Sequence, residues 1–383
     1  MPDVIRYYSK LVTYSAPLPF SFRGCRLSAG FWFRWTAEFT QERHISYGYT
    51  LFVYQPLPSR RHIRLLKLYP GHGNQPLRGT LCSVSIDPPP EFEALSYVWG
   101  RSRPISTIKI GDDASLPLPE NLMGALFSLR DEHREKTLWV DYLCINQQDT
   151  AERSEQIQLM GDIYLLSTSV IVWLGMPTPN SQLGIELLTY LARGGRIDDN
   201  APWNRERDSA VKIALDDILA RPYFERVWVV QETALAKRVV FCVGDSLRFE
   251  WSVAAEGRRF LARIKLAELS PLWQRSSLRD INFRPLRELL EQQLALQARH
   301  HGTIEVPSLL DVAHSVRHRK TIDPRDQIYG VMGLVTPAQV AGFVPDYSTS
   351  WEETYQRFYD FVERKVRETP EARLEDILTV QPE

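Results

Sequence analysis

A short apolar run that breaks at a polar turn constrains this chain more than any other stretch. Leu138-Trp139-Val140-Asp141-Tyr142-Leu143-Cys144-Ile145 carries strand formers, and it stops at Asn146-Gln147-Gln148-Asp149, where turn and capping chemistry takes over. A buried strand opening at its C-terminal end into a polar loop is the reading. Asp149 is a good N-cap, Glu152 falls three residues later as in a capping box, and Ile157, Met160 and Tyr164 mark one helix face. The helix is expected to end near Ser167, before the apolar run Val170-Ile171-Val172-Trp173-Leu174 and Gly175. Strand, loop, helix, strand is a βαβ unit, which favours parallel pairing in one sheet. Ligands of such sheets sit beyond the carboxyl ends of the strands, where 141–149 would lie.

Upstream, Phe92-Glu93-Ala94-Leu95-Ser96-Tyr97-Val98-Trp99 suits another strand, released into a loop at Gly100. Pro119 and Asn121 then open a helix with Leu122, Ala125, Leu126 and Leu129 on one face. The order becomes βαβαβ and places Tyr97, Asp141 and Val172 on neighbouring strands. Before it, Ile63–Leu68 reads as an alternating edge strand, and a second short strand covers 81–86. The first fifty residues mix aromatics and arginines without a sustained period; they are either a poorly ordered extension or sequence placed ahead of the true start.

At 383 residues the chain exceeds what one core usually supports, so about two domains are expected. The boundaries are an N-terminal extension (1–53), lead-in strands (54–91), an α/β domain (92–251) and an α-helical C-terminal region (252–383). Lys+Arg 46 against Asp+Glu 47 points away from nucleic acid as a partner. No apolar run reaches the roughly 20 residues of a membrane span. Four cysteines, far apart, suit a reducing compartment, and a cytoplasmic location is expected.

Several separated motifs carry a specific resemblance. Glu93-Ala94-Leu95-Ser96-Tyr97-Val98-Trp99-Gly100, Asn121-Leu122, Leu138-Trp139-Val140-Asp141 with Cys144-Ile145-Asn146-Gln147, Glu152-Arg153, and Val172-Trp173-Leu174-Gly175 occur in the order found in the fungal heterokaryon incompatibility (HET) domain. Arg226-Val227-Trp228-Val229-Val230-Gln231-Glu232 is similar to that family's last motif, and 325–330 and 345–348 resemble regions that often follow it. Ser167-Thr168-Ser169 departs conservatively from the family's alanine-containing turn. The abrupt ending at Gln381-Pro382-Glu383 suggests a chain shorter than its relatives.

The resemblance implies fungal non-self recognition leading to programmed cell death, and a mostly parallel, TIR/flavodoxin-like sheet flanked by helices. HET domains are thought to be distant relatives of TIR domains, several of which cleave NAD. TIR enzymes carry a tryptophan and, four residues on, a catalytic glutamate, the spacing of Trp228 and Glu232 on the helix expected after Pro222. One carboxylate suffices for that chemistry, because cationic nicotinamide departs neutral and needs no general acid, unlike the leaving oxygen of an ordinary glycoside. Glu232 is thereby the candidate catalytic residue. Tyr97, Trp99, Gly100, Asp141, Asn146 and Trp228 are candidate substrate contacts; NAD is the implied substrate, with no cofactor and no metal.

Each assignment has a plainer alternative. Glu232 could be a solvated residue paired with Arg226 or Lys237, Trp228 a core residue, and Tyr97 and Trp99 ordinary sheet-edge packing. Asp141 could simply hold the following loop, and loop geometry alone favours Asn146 and Gln147. No P-loop, Rossmann or G-x-S-x-G motif occurs. Two functions of different class therefore stand: an NAD-cleaving enzyme dependent on self-association, and a non-catalytic self-associating signalling module with an unidentified protein partner.

Overall fold

Parallel strands buried on both faces need continuous apolar sequence, and Ser169–Trp173, all of it buried, supplies that. It belongs to a computed structural model that describes residues 50–100, 103–193, 201–252, 255–300 and 307–368, all within the unit Tyr49–Glu383. The expectations for 1–49, for 194–200 of the linker-like segment and for 369–383 lie outside those residues.

Ten strands are described: β1 (Thr50–Leu51), β2 (His62–Leu68), β3 (Arg78–Ser85), β4 (Glu93–Tyr97), β5 (Ser106–Ile110), β6 (Ala114–Leu118), β7 (Lys136–Trp139), β8 (Ser169–Trp173), β9 (Arg238–Val243) and β10 (Leu247–Ser252). They form one sheet in the order β1-β6-β5-β3-β2-β7-β4-β8-β9-β10. The contiguous block β7-β4-β8-β9 is parallel throughout, with Ala94 opposite Trp139, Ser96 opposite Val172, and Val172 opposite Phe241. Numbered along the chain, this block runs 2-1-3-4, the flavodoxin-like pattern, whose switch point lies between its first and third strands, β4 and β8.

The helices between these strands are α1 (Glu120–Leu129), α2 (Asp141–Cys144), α3 (Thr150–Leu166), α4 (Ser181–Ala192), α5 (Asp208–Leu219) and α6 (Val229–Ala234). The expected face is the buried one on α1, with Leu122, Ala125, Leu126 and Leu129; on α3 Met160 and Tyr164 are buried, joined by Leu159 and Ile163, whereas Ile157 is only half-buried. Each such leucine or isoleucine contributes about 1.5–3 kcal/mol by leaving water. Close approach of α1 to the sheet requires Gly124, because a Cβ there would stand 2.9 Å from the ring of Trp173. After the β9–β10 hairpin, which turns at Gly244, come α7 (Ala255–Leu269), α8 (Pro271–Gln274), α9 (Arg284–His300), α10 (Leu309–Ser315), α11 (Asp326–Tyr329), α12 (Pro337–Val340) and α13 (Trp351–Glu368), the expected helical region. No helix among the described residues is long and apolar enough to cross a membrane.

Five expectations need correction. The strand at 138 ends at Trp139, because Leu143 and Cys144 donate their amides to the Val140 carbonyl (3.0 and 2.7 Å) and start a helical turn; Asp141 therefore follows β7 rather than lying on it. β2 is interior, not an edge: its charged Arg64 is buried because Glu152 meets it in a fork, at 2.6 and 2.9 Å. That fork also takes Glu152 out of the capping box, so Asp149 alone caps α3. The β5–β6 hairpin intervenes between β4 and α1, in the alternating residues around the turn at Gly111. The helix expected from Pro222 is two pieces, a 3₁₀ turn Pro222–Glu225 and α6. Between them Arg226 forms a lone parallel bridge with Lys320, and Val227 donates to the Lys320 carbonyl (3.1 Å).

Candidate active site

The break before α6 swings its first turn toward the carboxyl end of β4. Glu232, only 2% exposed, arrives there as an acceptor of the Ser96 hydroxyl proton. Ser96 Oγ lies 2.9 Å from the Tyr223 hydroxyl. A hydroxyl has one proton to give, so with Ser96 committed to Glu232 the Tyr223 hydroxyl donates to Ser96. The result is a relay from Tyr223 through Ser96 to the carboxylate.

Burial pushes the Glu232 carboxyl up to about 7; the Arg226 charge and the Ser96 bond pull against that, and the Asp141 charge adds to it. Burial also raises Asp141, tempered by the Trp99 indole and Arg226. Tyr97, Tyr164 and Tyr223 are all raised, each by burial first. The Tyr97 and Tyr164 hydroxyls are buried beside these carboxylates without a hydrogen bond of ordinary geometry to the protein. Each still stands close enough to draw its neighbour's pKa down, Tyr97 that of Asp141 and Tyr164 that of Glu232, so a polar ligand reaching these carboxylates would meet both hydroxyls.

Neither cation expected to neutralise Glu232 does so by contact. Arg226 donates to the Tyr97 carbonyl, and Lys237 to the Leu166 carbonyl (3.3 Å). Glu232 also departs from the expected solvated helix face: the sheet end and α3 cover it.

The structure gathers Tyr97, Asp141 and Glu232 around Arg226. Trp99 is held at its edge, its indole donating to Asp141 (2.8 Å) and its ring edge-on to Tyr142 at 5.4 Å. Gly100, at φ +78°, turns the chain away directly afterwards, a left-handed conformation that glycine adopts without strain. Asp141 also accepts the Tyr142 amide (2.7 Å) and so organises its own loop. Asn146 belongs to that loop: its amide donates to Glu152 (2.8 Å) and its side chain accepts from the Gln148 amide (3.2 Å). Trp228 turns to a second buried carboxyl, Asp326, which burial raises to about 6 against the pull of the Tyr347 hydroxyl and Trp228.

Sequence reasoning missed Ser96, Tyr164 and Tyr223, and took Arg226 only as an ion-pair partner. Ser96 carried a signal, as the one small polar residue between Ala94, Leu95 and Tyr97 at the end of a buried strand. Tyr164 carried none, being indistinguishable from an apolar face residue.

Residues 92–232 match the model of the family described as heterokaryon incompatibility protein (HET), a range that begins one residue before β4 and closes on Glu232. The chain carries a HET domain. A Neurospora crassa protein named heterokaryon incompatibility protein 6, OR allele, is 27% identical over 341 residues, which cover 76% of this chain. The chain spans about half (49%) of that relative's length. No solved structure matches. Ser96, Asp141, Tyr164, Tyr223, Arg226 and Glu232 all fall inside the HET range, whereas β1–β3, β9 and β10, outside it, complete the sheet.

Proposed function

We propose that this protein serves fungal heterokaryon incompatibility as a cytoplasmic signalling protein whose HET domain cleaves NAD and thereby brings about cell death. The observation that carries the enzymatic part is the cluster around Glu232: a buried carboxylate, its pKa raised to about 7, bonded to Ser96 at the carboxyl end of β4 with Asp141 and the Tyr97 and Tyr164 phenols close by. Water replaces nicotinamide on the ribose carbon; the products are nicotinamide, ADP-ribose and a proton. Ionised Glu232 stabilises the oxocarbenium-like transition state, while the Tyr97 and Tyr164 hydroxyls take ribose hydroxyls as partners. Self-association on meeting an unlike partner opens a path to Glu232.

A second reading rests on the burial of Glu232 and its Ser96 bond, which equally suit a structural hub in a non-catalytic, self-associating module. Incubating the purified chain with NAD over a range of protein concentrations and measuring nicotinamide separates the two. Turnover per subunit that rises with concentration and falls by about 10²–10³-fold in Glu232→Gln supports the enzyme. No nicotinamide at any concentration supports the module.

A further inference from the structure

The segment that carries Arg226 and Glu232 is gripped from one side by the C-terminal region. Arg319, 6% exposed, donates to the Phe224 carbonyl (2.7 Å) and to Glu288 on α9 (3.0 Å). Lys320 gives its amide to the Glu225 carbonyl (2.6 Å), takes the Val227 amide (3.1 Å), and pairs its ammonium with the Glu225 carboxylate (2.8 Å). Farther along, the Gly333 amide donates to the Gln231 side chain (2.9 Å) and Gln293 to the Ala236 carbonyl (3.2 Å). Held bonds thus fall at 224, 225, 227, 231 and 236, on both sides of Arg226 and of Glu232. A short helix of six residues, preceded by a 3₁₀ turn and a lone bridge, has little rigidity of its own.

We propose that Arg319 is a positioning residue for Glu232: anchored by Glu288, it fixes the 224–227 turn, and the turn fixes where Arg226 and the Glu232 carboxylate stand against Ser96. Its bearing on NAD cleavage rests on the function proposed above; the positioning does not. Arg319 makes no hydrogen bond to the groups facing Glu232, which are Ser96, Tyr164, Tyr223, Arg226 and Asp141; only its charge reaches one of them, Tyr223. It acts through the Phe224 carbonyl, and a guanidinium suits this because its fork serves two acceptors at once.

The test uses the full chain as wild type, Arg319→Met and Glu288→Gln. The Glu232 carboxyl is titrated by carbon-13 NMR of glutamate side chains, with its resonance assigned by loss in Glu232→Gln; folding and NAD kinetics are measured in parallel. In Arg319→Met the Glu232 titration is expected to fall from about 7 toward the ordinary carboxylate range as water reaches it. Glu288→Gln, which keeps the shape of the side chain but weakens its hold on Arg319, should shift it the same way by less. NAD kcat drops about tenfold or more with KM unchanged, because misplacement near reacting atoms costs rate. Wild-type titration in either folded variant overturns the proposal, as does a lowered Tm with titration unmoved, the signature of a purely structural role. If Arg319→Met does not fold, Glu288→Gln decides. If the wild type cleaves no NAD, the enzymatic reading fails while the titration still decides the positioning.

Discussion

Two glutamates of the HET domain, Glu152 and Glu232, are both removed from water, yet they are handled in opposite ways. Glu152 sits in a fork with Arg64, the side chains only 10% and 5% exposed, and it also accepts the Asn146 amide. Its charge is met in contact, and it locks the loop after β7 to β2. Glu232 has no such fork: its hydrogen bond comes from a neutral serine, and its nearest cation is turned to a backbone carbonyl. A buried carboxylate with contact cations is built to stay put. One left with a raised pKa and only neutral hydroxyls in contact is held ready for something else, and this contrast is the reason to look for chemistry at Glu232 rather than at Glu152.

The comparison can be broken from either side. Glu152→Ala strands a buried guanidinium and should cost about 3–5 kcal/mol in a urea melt. A loss under about 1 kcal/mol would mean that water already shares the fork. Glu232→Gln removes a charge that nothing neutralises in contact; it should lower NAD turnover by about 10²–10³-fold, the scale of losing one preorganised electrostatic contact. The same variant should stay folded, since the amide retains an oxygen for Ser96. Unfolding would return Glu232 to the structural class of Glu152.

The pH response separates stability from activity. The folded-state pKa of Glu232 stands near 7, above its ordinary 4.5, so the folded protein holds that proton more tightly than the unfolded chain. The corresponding stability is fully present below about pH 4.5 and is lost as pH rises to about 7. Asp326, raised from 3.8 to about 6, adds a loss that ends lower. In Glu232→Gln, denaturant stability should therefore stop falling near pH 6 instead of near pH 7. NAD cleavage by ionised Glu232 should climb through about pH 7, opposite in slope to stability. Activity that falls through that range would assign the working form to the protonated acid.

The smallest expected effect is also informative. Tyr97→Phe removes a hydroxyl that makes no hydrogen bond of ordinary geometry but stands beside Asp141, and it should change stability by less than about 1 kcal/mol while slowing NAD cleavage. Tyr347→Phe removes a hydroxyl that donates to Asp326 at 2.6 Å and should cost about 1–3 kcal/mol. Equal losses in the two melts would show that the Tyr97 hydroxyl is satisfied after all.

The parallel block was legible because buried parallel strands leave continuous apolar runs between capped helices, as at 170–174 and 149–164. β2 was misplaced because Arg64 reads as an edge charge until its partner, 88 residues away, is known. The same limit governed the site. Glu232 and Asp141 were visible as residue types at telling places, but Ser96, Tyr164 and Tyr223 acquire meaning only where β4, α3 and the 3₁₀ turn converge. The interruption at Arg226 was invisible for a related reason: it is made by pairing with Lys320, and nothing local in 222–232 announces it.

That pairing also bears on the order in which a ribosome makes this protein. All ten described strands have emerged by residue 252, yet the contacts that Arg319 and Lys320 make to Phe224 and Glu225 await a stretch of chain 95 residues farther on. From the end of β10 at Ser252 the ribosome adds 67 residues to reach Arg319, which takes roughly 3–13 s at about 5–20 residues per second. A nascent HET domain thus exists for several seconds with its sheet complete and its glutamate not yet set. A chain whose translation aborts between β10 and Arg319 would carry every residue around Glu232 and lack the hold of Arg319 and Lys320 on the turn before it.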